Sequence, residues 1–358
     1  MAELKLNNGK VIGDYKKPYI IAELGANHNG DMKIARKLIE QAKKAGCDCV
    51  KFQSWTKDSV FSKKVYDDNY FLEDDYRNRD DYTLEEIVDE FSISENELYE
   101  MKKLCDELDI DCTSTPFSRK EVDFLVDVLK VPFIKVASMD LNNYDFLEYI
   151  AKKNVPIVIS TGLSDLYEID KAIRTIENAG NNNICILHCI SIYPPLMEDI
   201  NLNNILMFRQ TYPNYPIGFS DHSIGTSIPL ASVALGACII EKHFTLDKNM
   251  FGWDHKVSAD YSDMEEIVRE SKNINLALGT FRKVVGEKEL KKREAFRRSI
   301  VAARDIPEGK IIEREDLDLK RPGTGIAPEY IDMVIGKKVK RNIKYDELLS
   351  SDDFGSVK

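Results

Sequence analysis

The stretch from Gly218 to Thr245 reads GFSDHS, then a run rich in small residues, then IIEKHFT. Two short apolar strands, Pro216 to Asp221 and Cys238 to Phe244, flank Gly225 to Ala237, whose small and apolar residues suit a buried crossover helix. This is a βαβ unit. Each strand carries a histidine at or just past its C-terminal end, His222 and His243, where the loops of a parallel barrel or an open sheet converge on a site. One histidine at a strand end is ordinarily a hydrogen-bonded structural residue, but two brought together from adjacent strands form half of a metal site. Asp221 and Glu241 are expected to fix the tautomers of these imidazoles, as carboxylates behind metal ligands do.

Outward from this unit the same alternation recurs. Strands are expected at YIIAELG from Tyr19, CVKFQ from Cys49, CTSTPF from Cys112, FIKVAS from Phe133, PIVIST from Pro156 and ICILHCI from Ile184, which with the two above makes eight. Between them lie amphipathic helical patterns such as MKIARKLIEQAKKAG, ENELYEMKKLCDEL and DLYEIDKAIRTIENAG. Eight such alternations fit a (β/α)8 TIM barrel, which takes about 250 residues; a doubly wound open sheet is the alternative. The NNGK at Asn7 to Lys10 suits a hairpin ahead of the barrel. The connection from Ser54 to about Ser92 is too long for a plain loop, and is either a wall of the substrate pocket or an exposed insertion. We divide the chain into a barrel domain over 1–285, a charged linker over 286–296 without apolar periodicity, and a small β-rich domain over 297–358.

Composition narrows the function classes. With 358 residues and 43% hydrophobic content, the chain can build one large core and a small appended domain. A formal charge of -11 argues against a general nucleic-acid or membrane-surface binder, so any anion must be held by locally placed lysines and arginines. Seven scattered cysteines without CxxC pairs read as reduced thiols of a cytoplasmic protein. The N-terminus lacks an apolar signal-peptide core, and Ile224 to Ile240 is better explained by the crossover helix and strand than by a membrane span.

The strand ends carry coherent chemistry. Strand one ends in Glu23, with Asn27 and His28 beyond; strand two offers Lys51 and Gln53; strand three Thr115 and Ser118; strand four Lys135 and Ser138. Ser160 and Thr161 follow on strand five, His188, Ser191 and Tyr193 on strand six, and Ser220 with His222 on strand seven. After strand eight, GWDHK adds Asp254, His255 and Lys256 to the mouth. Lys51 and Lys135 sit inside apolar strands, where an unpaired charge is costly, so each should meet an anion. Two buried lysines with several hydroxyls describe a phosphate or carboxylate pocket. There is no Gly-rich P-loop, which argues against a nucleoside triphosphate.

The runs IAELGANHNGD, VKFQS, STPFS, FIKVAS, ISTG, IYPP, FSDHS and EKHF, followed by RRSIVAARDIPEGKII and KRPGTG, resemble the sialic acid synthase family, which includes N-acetylneuraminate, legionaminate and pseudaminate synthases. The resemblance implies condensation of phosphoenolpyruvate with an N-acetylated hexose, N-acetylmannosamine or a 2,4-diacetamido-2,4,6-trideoxyhexose, to a nine-carbon 2-keto-3-deoxy acid. It also implies a barrel followed by an antifreeze-like SAF domain, in a domain-swapped homodimer. By this similarity His222 and His243 ligate Mn2+, with Mg2+ or Co2+ as alternatives. Lys51, Lys135, Ser138, Ser160 and Ser220 match positions that hold phosphoenolpyruvate, and Glu23 matches the acid near its C2. Gln53, Thr115, Phe117, Tyr193 and Asp254 match sugar-pocket positions, and Arg321 matches an arginine that reaches from one subunit into the other's barrel. The chain departs from the family pattern at SMD (Ser138 to Asp140), at Ser191 and at GWD, all on the acceptor side. Two alternatives stand beside this reading. One is a 3-deoxy-octulosonate or 3-deoxy-heptulosonate phosphate type of synthase, and the other a non-catalytic saccharide-binding protein.

Overall fold

The computed structural model describes residues 1–69 and 83–355, and the statements below concern those residues. By contacts the chain divides into two units, Met1–Gly279 and Thr280–Lys358. The first carries 31 basic and 46 acidic residues, a net charge of -15, and the second 19 and 15, a net of +4.

The first unit opens with an antiparallel hairpin, β1 (Glu3–Lys5) and β2 (Val11–Gly13), joined through the NNGK turn. Eight parallel strands follow: β3 (Tyr19–Gly25), β4 (Cys49–Gln53), β5 (Asp111–Thr115), β6 (Ile134–Val136), β7 (Ile157–Ser160), β8 (Ile184–Cys189), β9 (Ile217–Asp221) and β10 (Ile239–His243). Their order, β5-β4-β3-β10-β9-β8-β7-β6, is that of a nearly closed barrel sheet. Thr113 on β5 donates to the Phe133 carbonyl ahead of β6 at 2.6 Å, across the remaining seam. This is the expected (β/α)8 architecture.

Strand periodicity positions the site. Side chains two apart share a face, so each strand sorts its residues into an outer and a luminal set. The outer set, such as Ile20, Ala22 and Leu24 on β3 or Ile157 and Ile159 on β7, packs against the surrounding helices. The luminal set begins apolar: Tyr19, Ile21, Cys49, Phe133, Val158, Cys185, Leu187 and Ile239 cluster with Leu4, Leu6 and Ile12 of the hairpin. The hairpin therefore plugs the lower end. One step further along each strand the luminal residues turn polar, and that layer is described below.

The helices form where expected. In Met32–Ala45 the buried residues Ala35, Leu38, Ile39, Ala42 and Ala45 recur at helical spacing, and Asp31 caps the start by accepting from the Lys33 N–H. Each large aliphatic side chain so buried contributes roughly 1.5–3 kcal/mol, and Leu38→Ala would cost about 2–5 kcal/mol. The crossover helix between β9 and β10 is Ser227–Ala234. Of the long connection after β4, residues 70–82 lie outside the described residues; its helix Leu84–Phe91 buries Leu84, Ile87, Val88 and Phe91 with Trp55 against Ala26, beside the end of β3. All seven cysteines are reduced and buried. Among the described residues no helix is long and apolar enough to cross a membrane.

In the second unit, β11 (Ser299–Ala302) pairs antiparallel with β12 (Leu317–Lys320) over a core of Ile300, Ile306, Ile312, Leu317, Val339, Ile343, Leu349 and Phe354. The segment read as a linker, 286–296, is an α-helix over Glu287–Phe296 with no buried residue. Its Glu, Lys, Arg, Ala and Leu residues have high helix propensity, and acidic residues at its start suit the helix dipole. The helix thus needs no apolar stripe to form.

Candidate active site

The polar luminal layer is one connected network drawn from seven of the eight strands. Lys51 of β4 pairs with Glu23 of β3 and donates to Thr115 Oγ1 of β5 at 3.1 Å. Lys135 of β6 donates to Ser160 Oγ of β7 at 2.7 Å. Glu241 of β10 links the two halves, lying 3.6 Å from Lys135 Nζ and 3.9 Å from Lys51 Nζ while accepting from Ser220 Oγ of β9 at 3.0 Å. Gln53 orients Glu23 by donating to its Oε1 at 3.0 Å, and the Trp55 indole N–H in turn donates to Gln53 Oε1 at 3.0 Å. Around this layer the backbone approaches closely. Gly25 has φ +46°, and a Cβ there would lie 3.0 Å from Glu23 Oε1 and 3.6 Å from Asp254 Oδ2. A Cβ at Gly162 would stand 2.7 Å from Ser138 Oγ and 2.2 Å from Ser191 Oγ, so only glycine lets its N–H donate to Ser138 Oγ at 3.1 Å.

Burial and charge set the proton affinities. Burial pushes the Glu23 carboxyl up to about 7; Lys51 pulls the other way and Glu241 adds to the rise. For Glu241 burial acts in the same direction, but Lys135 and Lys51 outweigh it and hold the group below the usual carboxylate range. Burial works against the charge on Lys51, yet Glu23 and Glu241 hold its pKa above the ordinary lysine value. Lys135 goes down: burial dominates and Glu241 offsets only part of it. The two carboxylates are therefore split, one firmly ionised and one titrating near neutrality, as acid–base chemistry requires.

His222 and His243 lie at the rim of this layer with ring centroids 5.5 Å apart. The His222 Nδ1–H donates to the Ile190 carbonyl at 2.7 Å, which leaves the ring's lone pair on Nε2. His243 Nδ1 is buried without a hydrogen bond, 3.6 Å from Asp254 Oδ2, and burial followed by the neighbouring His222 keeps this ring neutral. Two imidazoles at one rim, one oriented by a carbonyl and one with an unbonded nitrogen, fit a divalent ion. No group of three or more His, Cys, Asp or Glu has metal-ligand spacing among the described residues. Tyr193 stacks on His222 at 4.0 Å and meets His243 edge-on at 5.8 Å.

Several expectations need correction. Asp221 and Glu241 do not bond the imidazoles and so do not fix their tautomers: Asp221 bonds Lys242 and the Ser223 N–H, Glu241 turns to the lysines, and the Ile190 carbonyl meets the His222 Nδ1–H. His188 points to the outer face, bonds the Ile200 carbonyl at 2.6 Å and packs on Phe208 and Phe219. His255 is fully buried between Thr245 and Asn29, and His28 Nδ1 accepts from the Gly30 N–H within its own turn while its Nε2 is buried without a hydrogen bond. Three other residues need no such correction: Phe117 packs with the Trp55 cluster. Asp140 takes a hydrogen bond from Asn143 at 3.3 Å. Arg321 belongs to the second unit, where its guanidinium lies 5.2 Å above the Phe296 ring. The residue whose part was missed is Glu241, the shared counter-ion of both lysines. Its position two before His243 placed it on the luminal face of the strand.

Comparison with known proteins agrees with this fold. Residues 38–283 match the NeuB family and residues 297–355 the SAF domain. The N,N'-diacetyllegionaminic acid synthase of Legionella pneumophila is 37% identical over 343 residues, 95% of each chain. The N-acetylneuraminate-9-phosphate synthase of Homo sapiens is 36% identical over 350 residues, 97% of this chain and 95% of that one. The crystal structure of the N-acetylneuraminic acid (sialic acid) synthetase of Leptospira borgpetersenii, solved with citrate, has a TM-score of 0.71 and 30% identity, covering 81% of this chain and 94% of the other. These relatives are enzymes of nonulosonic acid synthesis. With a barrel matched over most of its length, a SAF domain behind it and relatives alike from end to end, the chain belongs to the NeuB family.

Proposed function

We propose that this protein condenses phosphoenolpyruvate with an N-acetylated hexose and water, giving a nine-carbon 2-keto-3-deoxy acid and phosphate. The observation that carries the reading is the luminal layer: two buried lysines and two carboxylates of split proton affinity, with a pair of imidazoles at its rim. Lys51 and Lys135, with the hydroxyls of Ser138, Ser160 and Ser220, cradle the donor's phosphate and carboxylate. Gln53, Thr115, Phe117, Tyr193 and Asp254 line the acceptor side.

C3 of the enol phosphate attacks the open-chain aldehyde of the sugar, and positive charge develops at C2. Glu23, titrating near neutrality, accepts a proton from the water that adds there, and Gln53 holds its carboxylate in register. Collapse of the tetrahedral centre breaks the C–O bond and releases phosphate. A divalent metal held by His222 and His243, Mn2+ before Mg2+ or Co2+, supplies Lewis-acid polarisation of the aldehyde when bound.

The second unit fits a capping role in a domain-swapped homodimer. Its net charge of +4 complements the -15 of the barrel unit, and Arg321 of the partner subunit would meet the N-acetyl end of the acceptor. Exposed apolar side chains in the connections after the barrel strands, Met139, Leu163, Ile192, Leu196 and Ile224, provide the surface such a partner would cover.

The experiment is a phosphate-release assay with phosphoenolpyruvate, Mn2+ and three acceptors: N-acetylmannosamine, 2,4-diacetamido-2,4,6-trideoxymannose and its altrose isomer. Release is expected with one preferred acceptor and to stop on chelation. No release with any of them would leave a saccharide-binding protein in its place.

A further inference from the structure

We propose that the buried Asp221–Lys242 pair is a positioning device that sets the separation of His222 and His243, and through it the affinity of this site for a divalent cation. The proposal rests on the metal reading given above. Asp221 Oδ2 accepts from Lys242 Nζ at 2.6 Å, with both side chains 1% exposed. The same Nζ donates to the Ser223 carbonyl at 2.6 Å, and Asp221 Oδ1 accepts from the Ser223 N–H at 2.9 Å. The chain is therefore held on both sides of His222 and tied to the residue just before His243.

Strand register shows why this tie is needed. The parallel ladder between β9 and β10 pairs Ile240 with Phe219, Glu241 with Ser220 and Lys242 with Asp221, and there it ends. The two histidines stand at or beyond the last rung, where no main-chain pairing between these strands fixes their distance. The side-chain bridge continues the ladder for one more step. Its residues alternate with the luminal Ser220, Glu241 and His243, so they face away from the substrate layer and act only through the histidines.

Energetics favour a positional over a stabilising role. Removing two charges from water costs about what their attraction returns, so a buried ion pair is seldom retained for net stability and is better explained by the geometry it enforces. The Asp221–Lys242 bridge is separate from the pairs among Glu23, Lys51, Glu241 and Lys135, and it has no other evident task.

The test is Mn2+ titration of the full chain, followed by the electron paramagnetic resonance of the free ion at a temperature well below unfolding. Wild type is compared with Asp221→Asn, with the double variant Asp221→Asn/Lys242→Met, which leaves no stranded charge, and with Val158→Ala, a destabilised control in the lower lumen. Both bridge variants should keep the wild-type circular dichroism and lose roughly 10–100-fold in Mn2+ affinity, the usual effect of removing a support behind a metal ligand, while the control keeps its affinity. Wild-type affinity in the double variant, or an equal loss in Val158→Ala, would overturn the proposal. A wild-type protein that binds no Mn2+ would instead remove the metal reading, and this proposal with it.

Discussion

Replacing Glu241 by glutamine tests the charge balance of the luminal layer most sharply. Glutamine preserves the volume and can still accept from Ser220, so no cavity opens; one negative charge disappears. Lys51 keeps Glu23, but Lys135 has no other carboxylate partner among the described residues. Stranding one member of a buried pair costs about 3–5 kcal/mol. At about 2–4 °C per kcal/mol for a domain of this size, the barrel transition should fall by roughly 6–20 °C. The pH dependence has a definite sign. Burial already depresses Lys135, and losing Glu241 depresses it further. A lysine whose pKa is lowered by folding destabilises the native state below its unfolded value, about 10.4, and the penalty fades as pH rises toward it. The deficit in Tm, measured by circular dichroism, should therefore be largest near neutrality and shrink at alkaline pH. Inorganic phosphate, which replaces the missing charge, should raise the Tm of the variant more than that of wild type. A variant that unfolds with the wild type near pH 7, or whose deficit grows with pH, would refute the reasoning.

Other outcomes follow from the same geometry. Glu23→Gln should lower kcat by about 10²–10⁴-fold, the usual contribution of a positioned acid–base group. Because Glu23 must be ionised to accept a proton, wild-type kcat/KM for phosphoenolpyruvate should fall below pH about 7, and the variant should lose that limb. Gly162→Ala pushes a methyl into Ser138 and Ser191, so steady-state kinetics should show KM for phosphoenolpyruvate rising roughly 10–100-fold, the worth of one hydrogen bond to a charged group; an unchanged KM would take Ser138 out of the cradle. Arg321→Ala should raise the acceptor KM by a similar factor of about 10–100 and leave that for phosphoenolpyruvate alone. Equal effects on both constants would argue against an acceptor contact.

The barrel was legible because its strands are short apolar runs of three to seven residues separated by amphipathic helices, a pattern that depends on local chemistry alone. The lysines stood out as charges in apolar strands. What eluded the sequence was the partner each charge chose, because that depends on register. Once β9 and β10 are aligned, Glu241 faces Ser220 in the lumen and Lys242 faces Asp221 outside it, so neighbouring residues along one strand serve separate networks. The alternation rule also separates luminal Cys189 from His188, whose ring lies among Phe208 and Phe219. His28 and His255 were read by proximity to strand ends, yet His28 Nδ1 accepts within its own turn and His255 is held by Thr245 and Asn29. The helix Glu287–Phe296 escaped a search for apolar periodicity because propensity and charge, not burial, sustain it.

The measurement that bears most directly on the proposed chemistry follows oxygen-18 placed in the C–O–P bridge of phosphoenolpyruvate. If carbon–carbon bond formation is followed by water addition at C2 and C–O cleavage, the label leaves with phosphate and the keto acid carries none. Label retained in the keto oxygen would mean cleavage at phosphorus, and neither the water at C2 nor the part given to Glu23 would survive.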